Sequence, residues 1–273
     1  MVILTAIFCL GLVGLLIGIG LGLANKKLAV EVDPREILIA EALPGANCGA
    51  CGYPGCSGYA AAVAKGEAEI GQCPVGGKSV ADRIASIMGR EAVEFEPRVA
   101  RVLCAGEKDA CSLRYSYLGI PSCAAANLMA SGAKSCIYGC LWMGDCYRSC
   151  PFGAIRMGNN GLPWIDEDKC VGCGRCVKAC PRKIIALLPR SSRVVVECSS
   201  HDRAAEVRRV CKVGCIACRA CEKVCEPKAI TVQENLARID PELCTNCGAC
   251  IAKCPRKVIA HLDEKKKVLT AAA

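Results

Sequence analysis

Residues 2 to 24 (VILTAIFCLGLVGLLIGIGLGLA) carry no charge. At about 1.5 Å of helical rise per residue, that run is long enough to cross the hydrocarbon layer of a membrane. Asn25, Lys26 and Lys27 follow at once, and positive charge at the end of a first span predicts that this end and everything after it stay on the cytoplasmic side. A cleaved signal peptide is the competing reading. It is weakened by the missing basic n-region and by an apolar run longer than a usual h-region. Gly14, Gly18 and Gly22 recur every fourth residue, leaving bare backbone on one face where a neighbouring membrane helix can approach; glycine is also simply common in such helices. Cys9 lies inside the run and reads as a small membrane-facing residue.

Beyond a short linker the pattern shortens. Helical stretches are expected from Pro34 to Leu43 and over 79–99, the latter ending at Glu96-Pro97. Two hairpins are legible: AIRM and LPWI around the turn Asn159-Asn160-Gly161, and AITVQ and LARI around Glu234-Asn235. A helix should follow each cysteine-rich loop, and the terminal EKKK and alanine run read as a solvated tail. Strand pairs and short helices in this order resemble the bacterial two-cluster ferredoxin fold and imply an α+β class.

Composition changes this picture in one respect. There are 26 Cys among 273 residues, while aromatic residues make up 4%, so cores built on large rings are excluded and inorganic clusters are the natural substitute. The cysteines stand two or three residues apart in blocks, which is metal-ligand spacing, and so many free thiols survive only in a reducing compartment. They also repeat. Cys123, Cys136, Cys140, Cys146 and Cys150 recur 75 positions later as Cys198, Cys211, Cys215, Cys221 and Cys225. Cys170, Cys173, Cys176 and Cys180 recur 74 positions later as Cys244, Cys247, Cys250 and Cys254, each set followed by Pro-Arg-Lys. One module is present twice.

Within a module the block Cys-x2-Cys-x2-Cys-x3-Cys-Pro wraps three thiolates around one [4Fe–4S] cube, while its fourth cysteine reaches the other cube of the pair. Zinc sites use two separated Cys-x2-Cys pairs instead. The crossing rule groups Cys170, Cys173 and Cys176 with Cys150; Cys244, Cys247 and Cys250 with Cys225; and Cys215, Cys218 and Cys221 with Cys254. In module 1, Met143 stands where the second cysteine should be, and a thioether is a poor substitute for a thiolate. Cys136, one turn upstream, is assigned to that set with Cys140, Cys146 and Cys180. In module 2, Cys225-Glu226-Pro227 replaces Cys-Pro, which puts the local turn in doubt but not the ligand.

Upstream lies a different block: Cys48, Cys51, Cys56 and then Cys73-Pro74, with Gly45, Gly49, Gly52 and Gly55 allowing the backbone to fold tightly. Residues 36 to 76 resemble the small four-iron domain of the Rnf B subunit and of the large subunit of corrinoid iron–sulfur proteins. Five sets then use 20 of the cysteines. A sixth could draw on Cys104, Cys111 and Cys123 with Cys198 or Cys211 if the repeats pack together; otherwise these are buried structural thiols. The formal charge of +9 counts cysteines as neutral. With about −2 at each cluster site it falls to about −1, which removes the case for nucleic acid.

An apolar N-terminal helix, a four-iron domain and paired ferredoxin-type blocks, in this order, resemble the B subunit of the Rnf complex over nearly the whole chain. The expected division is 1–25 transmembrane anchor, 26–35 linker, 36–100 four-iron domain, 101–135 cysteine-containing connector, 136–190 ferredoxin-like module 1, 191–212 connector, 213–263 ferredoxin-like module 2 and 264–273 tail. The resemblance implies a membrane-anchored electron-transfer subunit of an ion-translocating (Na⁺ or H⁺) ferredoxin:NAD oxidoreductase. Such a subunit would take electrons from soluble ferredoxin and relay them to integral membrane and NAD- or flavin-binding subunits at the inner membrane. No dinucleotide fingerprint or phosphate loop is found outside the anchor, and His201 and His261 are isolated, so no substrate chemistry and no flavin or NAD are expected on this chain. Two other readings stay open: a reductive activator of a corrinoid enzyme, suggested by the shared four-iron domain, and an iron–sulfur redox sensor. The first lacks a nucleotide site and the second an output domain.

Overall fold

The computed structural model describes residues 2–28, 33–91 and 96–263; the tail at 264–273 and linker residues 29–32 lie outside them. Helix α1 (Val2–Leu28) runs through the apolar segment and past Lys26 and Lys27, so the first linker residues are helical. Its stretch Ile7–Lys27 is long and apolar enough to cross a membrane. Phe8, Leu10 and Leu21 stand exposed, and Gly14, Gly18 and Gly22 have open space around them. Nothing among the described residues covers this helix.

The next unit is three helices. Helix α2 (Pro34–Ala42) opens with the Asp33 side chain accepting from the Arg35 N–H, a standard N-cap. Helices α3 (Gly55–Lys65) and α4 (Gly77–Met88) end on Gly66 and Gly89, both left-handed. Gly89 therefore ends the helix expected over 79–99 about ten residues early. Ile39, Tyr59, Val63 and Ile84 form the core. The Tyr59 hydroxyl donates to the Glu69 carbonyl at 2.8 Å and accepts from the Gln72 N–H at 3.2 Å, pinning the chain just before Cys73.

Module 1 is built from β1 (Arg98–Val102), α5 (Cys123–Leu128), α6 (Asp145–Arg148), β2 (Ile155–Met157), β3 (Pro163–Ile165), α7 (Arg175–Ala179) and β4 (Ile185–Pro189). Module 2 follows with β5 (Val194–Val196), α8 (Ala204–Val210), α9 (Ala220–Val224), β6 (Ile230–Gln233), β7 (Leu236–Ile239), α10 (Ala249–Lys253) and β8 (Ile259–His261). Both expected hairpins form, β2 with β3 and β6 with β7. Glu234 and Asn235 sit at φ 48° and 62°, as a tight hairpin turn demands.

Each module also pairs its first strand with its last: Arg98↔Pro189 through Val102↔Ile185 in module 1, Val194↔His261 through Val196↔Ile259 in module 2. This moves two expected boundaries. Residues 98–100, assigned to the four-iron domain, belong to module 1, and residues 194–196, assigned to a connector, belong to module 2.

Cysteines are core members in both modules. Ile155, Ile184 and Ile185 pack with Cys104, Cys140, Cys146 and Cys176; Leu236, Ile230 and Val258 pack with Cys215, Cys221 and Cys250. The modules are joined by backbone hydrogen bonds: Ala105 N–H to the Glu197 carbonyl at 2.9 Å, Lys212 N–H to the Ala110 carbonyl at 2.8 Å and Ser112 N–H to the Val210 carbonyl at 3.2 Å. A buried ion pair reinforces the joint. Arg101 meets Glu167 at 2.5 Å, and Arg193, at the edge of module 2, meets the same carboxylate at 2.9 Å.

Candidate metal centres

Four loops share one backbone shape. Counting onward from the first cysteine of each, the second and fourth residues are left-handed: Trp142 and Gly144, Gly172 and Gly174, Ala217 and Arg219, Asn246 and Gly248. Alternating left-handed residues turn successive N–H groups inward and make a concavity for an anion, and holding Trp142, Arg219 or Asn246 there costs on the order of 1 kcal/mol each. The loop around Met143 keeps this shape although its thiol is missing. The turn after the fourth cysteine is shared by three of them: Lys183, Lys228 and Lys257 are left-handed and donate N–H to the carbonyls of Cys180, Cys225 and Cys254 at 3.1 Å. Cys225-Glu226-Pro227 therefore folds as its counterparts do.

The thiols gather in sets. In module 2, burial and then the charges of Cys215, Cys218 and Cys254 push the Cys221 thiol up to about 11; burial and then Cys244, Cys247 and Cys225 do the same to Cys250. In module 1, burial followed by Cys170, Cys173, Cys146 and Cys150 pushes Cys176 up to about 12. In the four-iron domain, burial followed by Cys56 and Cys48 raises Cys73, while Tyr59 is pushed up to about 12 by burial, then by Cys73 and Cys51. Neighbouring thiolates oppose one another's ionisation, most strongly at the buried member of each set, and a cationic iron core relieves that opposition. All 26 cysteines are free of disulfides. No three Cys, His, Asp or Glu side chains among the described residues converge on a point that one ion could fill. The cysteine spacing and the shared loop shape suit a cube of iron and sulfide better than a tetrahedral zinc ion.

Where Met143 interrupts the pattern, the structure brings up Cys123. Its Sγ accepts the N–H groups of Asp145 and Met143. Burial and then Cys123 and Cys180 push Cys146 up to about 12, and Cys140 also feels Cys123. Asp145 holds Cys123 in place, since one of its oxygens takes the Ser122 hydroxyl and the Ala124 N–H, both at 2.9 Å. Cys136 instead lies with Cys104 and Cys211, and its cluster of buried neighbours is Cys111, Val210 and Cys211. Cys111 and Cys211 face each other across a β-bridge and share a hydrogen bond that keeps the proton on Cys111 and favours the thiolate on Cys211. A cavity between the modules is lined by Cys104, Cys111, Cys136, Cys198 and Cys211.

The structural repeat differs from the one in spacing. Cys104 accepts the Cys140 N–H and Cys198 the Cys215 N–H, each at 3.4 Å, so Cys104, not Cys123, is the counterpart of Cys198. Cys111 and Cys123 both sit in the longer connection of module 1. Of the remaining expected ligands, Cys218 and Cys247 are exposed and Cys150, Cys170, Cys173, Cys225, Cys244 and Cys254 partly so. Cys173 lies close enough to Cys48 of the four-iron domain to feel its charge. Sequence reasoning passes over Lys134, whose ammonium lies 4.0 Å from Cys104 Sγ; nothing in its local pattern separates it from a surface lysine.

Comparison with known proteins agrees with this chemistry. Residues 43–75 match a family described by its Fe-S cluster, residues 163–186 a 4Fe-4S binding domain and residues 214–258 a 4Fe-4S dicluster domain. The chain is 46% identical to the B subunit of the Na⁺-translocating ferredoxin:NAD⁺ oxidoreductase complex of Acetobacterium woodii, over 94% of this chain and 78% of that one. It is 42% identical to the B subunit of the ion-translocating oxidoreductase complex of Methanosarcina acetivorans, over 94% and 98%. A proton-translocating counterpart from Clostridium ljungdahlii is 43% identical over 91% and 88%, so the relatives' names differ in the ion. With thiol sets in a tethered two-module body and near full-length likeness to these proteins, the chain belongs to the family of Rnf complex B subunits, as a membrane-associated iron–sulfur electron-transfer component of an ion-translocating oxidoreductase complex.

Proposed function

We propose that this subunit takes electrons from reduced soluble ferredoxin at module 2 and passes them toward the membrane end of the chain, with its body on the cytoplasmic face of the inner membrane. The observation that carries this reading is an unbroken adjacency of thiol sets. Cys225, Cys244, Cys247 and Cys250 stand beside Cys215, Cys218, Cys221 and Cys254 within module 2. Cys198 neighbours both Cys215 and Cys104, linking module 2 to the cavity between the modules. Cys146 and Cys176 neighbour each other in module 1, and Cys173 neighbours Cys48. At the far end Cys218 and Cys247 reach solvent, where a soluble donor can approach; at the near end the four-iron domain follows α1 directly.

Six sets are proposed rather than five. Cys123 completes the set of Cys140, Cys146 and Cys180, while Cys136 joins Cys104, Cys111 and Cys211. The remaining sets are those read from spacing, including Cys48, Cys51, Cys56 and Cys73. When bound, [4Fe–4S] cubes supply reversible one-electron storage, with potentials tuned by hydrogen bonds to sulfur, local charge and exposure. The chain's own contribution is to hold the sets in order, to donate N–H groups to their sulfurs and to exclude water from the inner ones.

Cys51→Ala tests the direction. Mixed with one equivalent of reduced ferredoxin, the purified complex should still bleach in module 2 within the dead time of wild type, while NAD⁺ reduction falls to background. If bleaching is lost along with NAD⁺ reduction, ferredoxin enters at the four-iron domain and the proposed direction is wrong.

A further inference from the structure

Lys134 is 1% exposed, and among the described residues the only other buried cation is Arg101. Arg101 is neutralised by Glu167. The Lys134 ammonium instead donates to the Gly106 carbonyl at 2.7 Å and points at Cys104 Sγ at 4.0 Å. It lies 4.4 Å from the centre of the Trp142 ring, whose Nε1–H donates to the same carbonyl at 3.0 Å. Lys134 lines the cavity between the modules, and its charge favours the thiolate forms of Cys111, Cys136, Cys140 and Cys211. Glu197 lines the same cavity. A buried ammonium needs negative charge close by, and the cavity offers thiols as well as the Glu197 side chain for it.

We infer that Lys134 is a positioning residue for charge: it raises the potential of the centre held by Cys104, Cys111, Cys136 and Cys211, so that an electron rests there, between the two modules. The inference builds on the six-set reading. Adding one electron makes a cluster site more negative by one unit, with no bond made or broken. A fixed cation a few ångströms away stabilises the more negative state most, and because its charge is already in place no proton need be taken up. Among the described residues, no other set has a buried lysine beside it.

The test is an EPR-monitored redox titration of the whole anaerobically loaded chain, with iron counted in each sample. In Lys134→Met, one midpoint should fall by at least tenfold in equilibrium constant, which is 59 mV for one electron, with iron unchanged and the other midpoints in place. Lys134→Arg should restore it toward wild type. The signal that moves should be the one missing from a Cys104→Ser, Cys111→Ser double variant. Unmoved midpoints in an iron-replete Lys134→Met would overturn the inference. If Lys134→Met loses that site's iron, Lys134→Gln is titrated in its place; loss in both makes Lys134 an assembly residue and also overturns it. A double cysteine variant that keeps all its iron would instead refute the six-set reading, which the iron count alone reveals.

Discussion

Cys123→Ala should cost the chain about four irons and lower ferredoxin-driven NAD⁺ reduction by the assembled complex more than about 100-fold, beyond the usual penalty for losing a ligand's supporting partner. The loop at Met143 keeps the left-handed pair Trp142 and Gly144, so the cradle exists and lacks only a thiolate. In the proposed set Cys123 would supply that thiolate from another part of the chain, clamped by Asp145 and hydrogen-bonded by Met143's own N–H. Restoring the regular pattern should therefore rescue the loss: Cys123→Ala with Met143→Cys regains the iron. Cys198→Ala should keep its full iron content. Retention of iron in Cys123→Ala would return the site to Cys136.

The second large effect concerns stability. Arg101→Met leaves the Glu167 carboxylate buried with only the half-exposed Arg193 for company and should destabilise the loaded protein by about 3–5 kcal/mol, read as a shift of its urea midpoint. Arg101→Met with Glu167→Gln should cost less, since no uncompensated charge remains. The pH dependence has a definite sign. Burial raises the Glu167 pKa, but the Arg101 hydrogen bond and charge, with Arg193, outweigh it and hold the carboxyl below its ordinary 4.5. Its contribution is thus present above pH 4.5 and lost as pH falls through the lowered folded value. The gap between wild type and Arg101→Met should narrow below that pH. An unchanged gap would mean that the pair does not set the difference.

What can be read from spacing is whatever depends on neighbours in the chain. The four loops, both hairpins and the helix after each loop are dictated by residues within a dozen positions, and they form where expected. Strand β1 escapes such a reading because its partner lies beyond two cysteine sets, and because RVARV is short and buried at three successive positions rather than alternating. The pairing of Cys123 with Cys198 misleads for a related reason. A constant offset of 75 is exact in the chain but not in space, because the connection after Cys104 is longer than the one after Cys198, and the extra length delivers Cys111 and Cys123. Lys134 and the Arg101–Glu167 pair depend wholly on long-range packing, which single-chain periodicity does not encode.

The closing of each module by its own two ends makes its innermost thiols depend on a strand pair. Cys140, Cys146 and Cys176 are buried, and β4, the strand that seals them against β1, is the last part of module 1 to be synthesised. Exchange of what these inner donors hold in the folded protein therefore calls for that strand pair to separate. In module 2 the pairing of β5 with β8 plays the same part for Cys215, Cys221 and Cys250. Access to the inner sets is thereby coupled to the two end-to-end strand pairs, whose opening is a local unfolding rather than a loop motion.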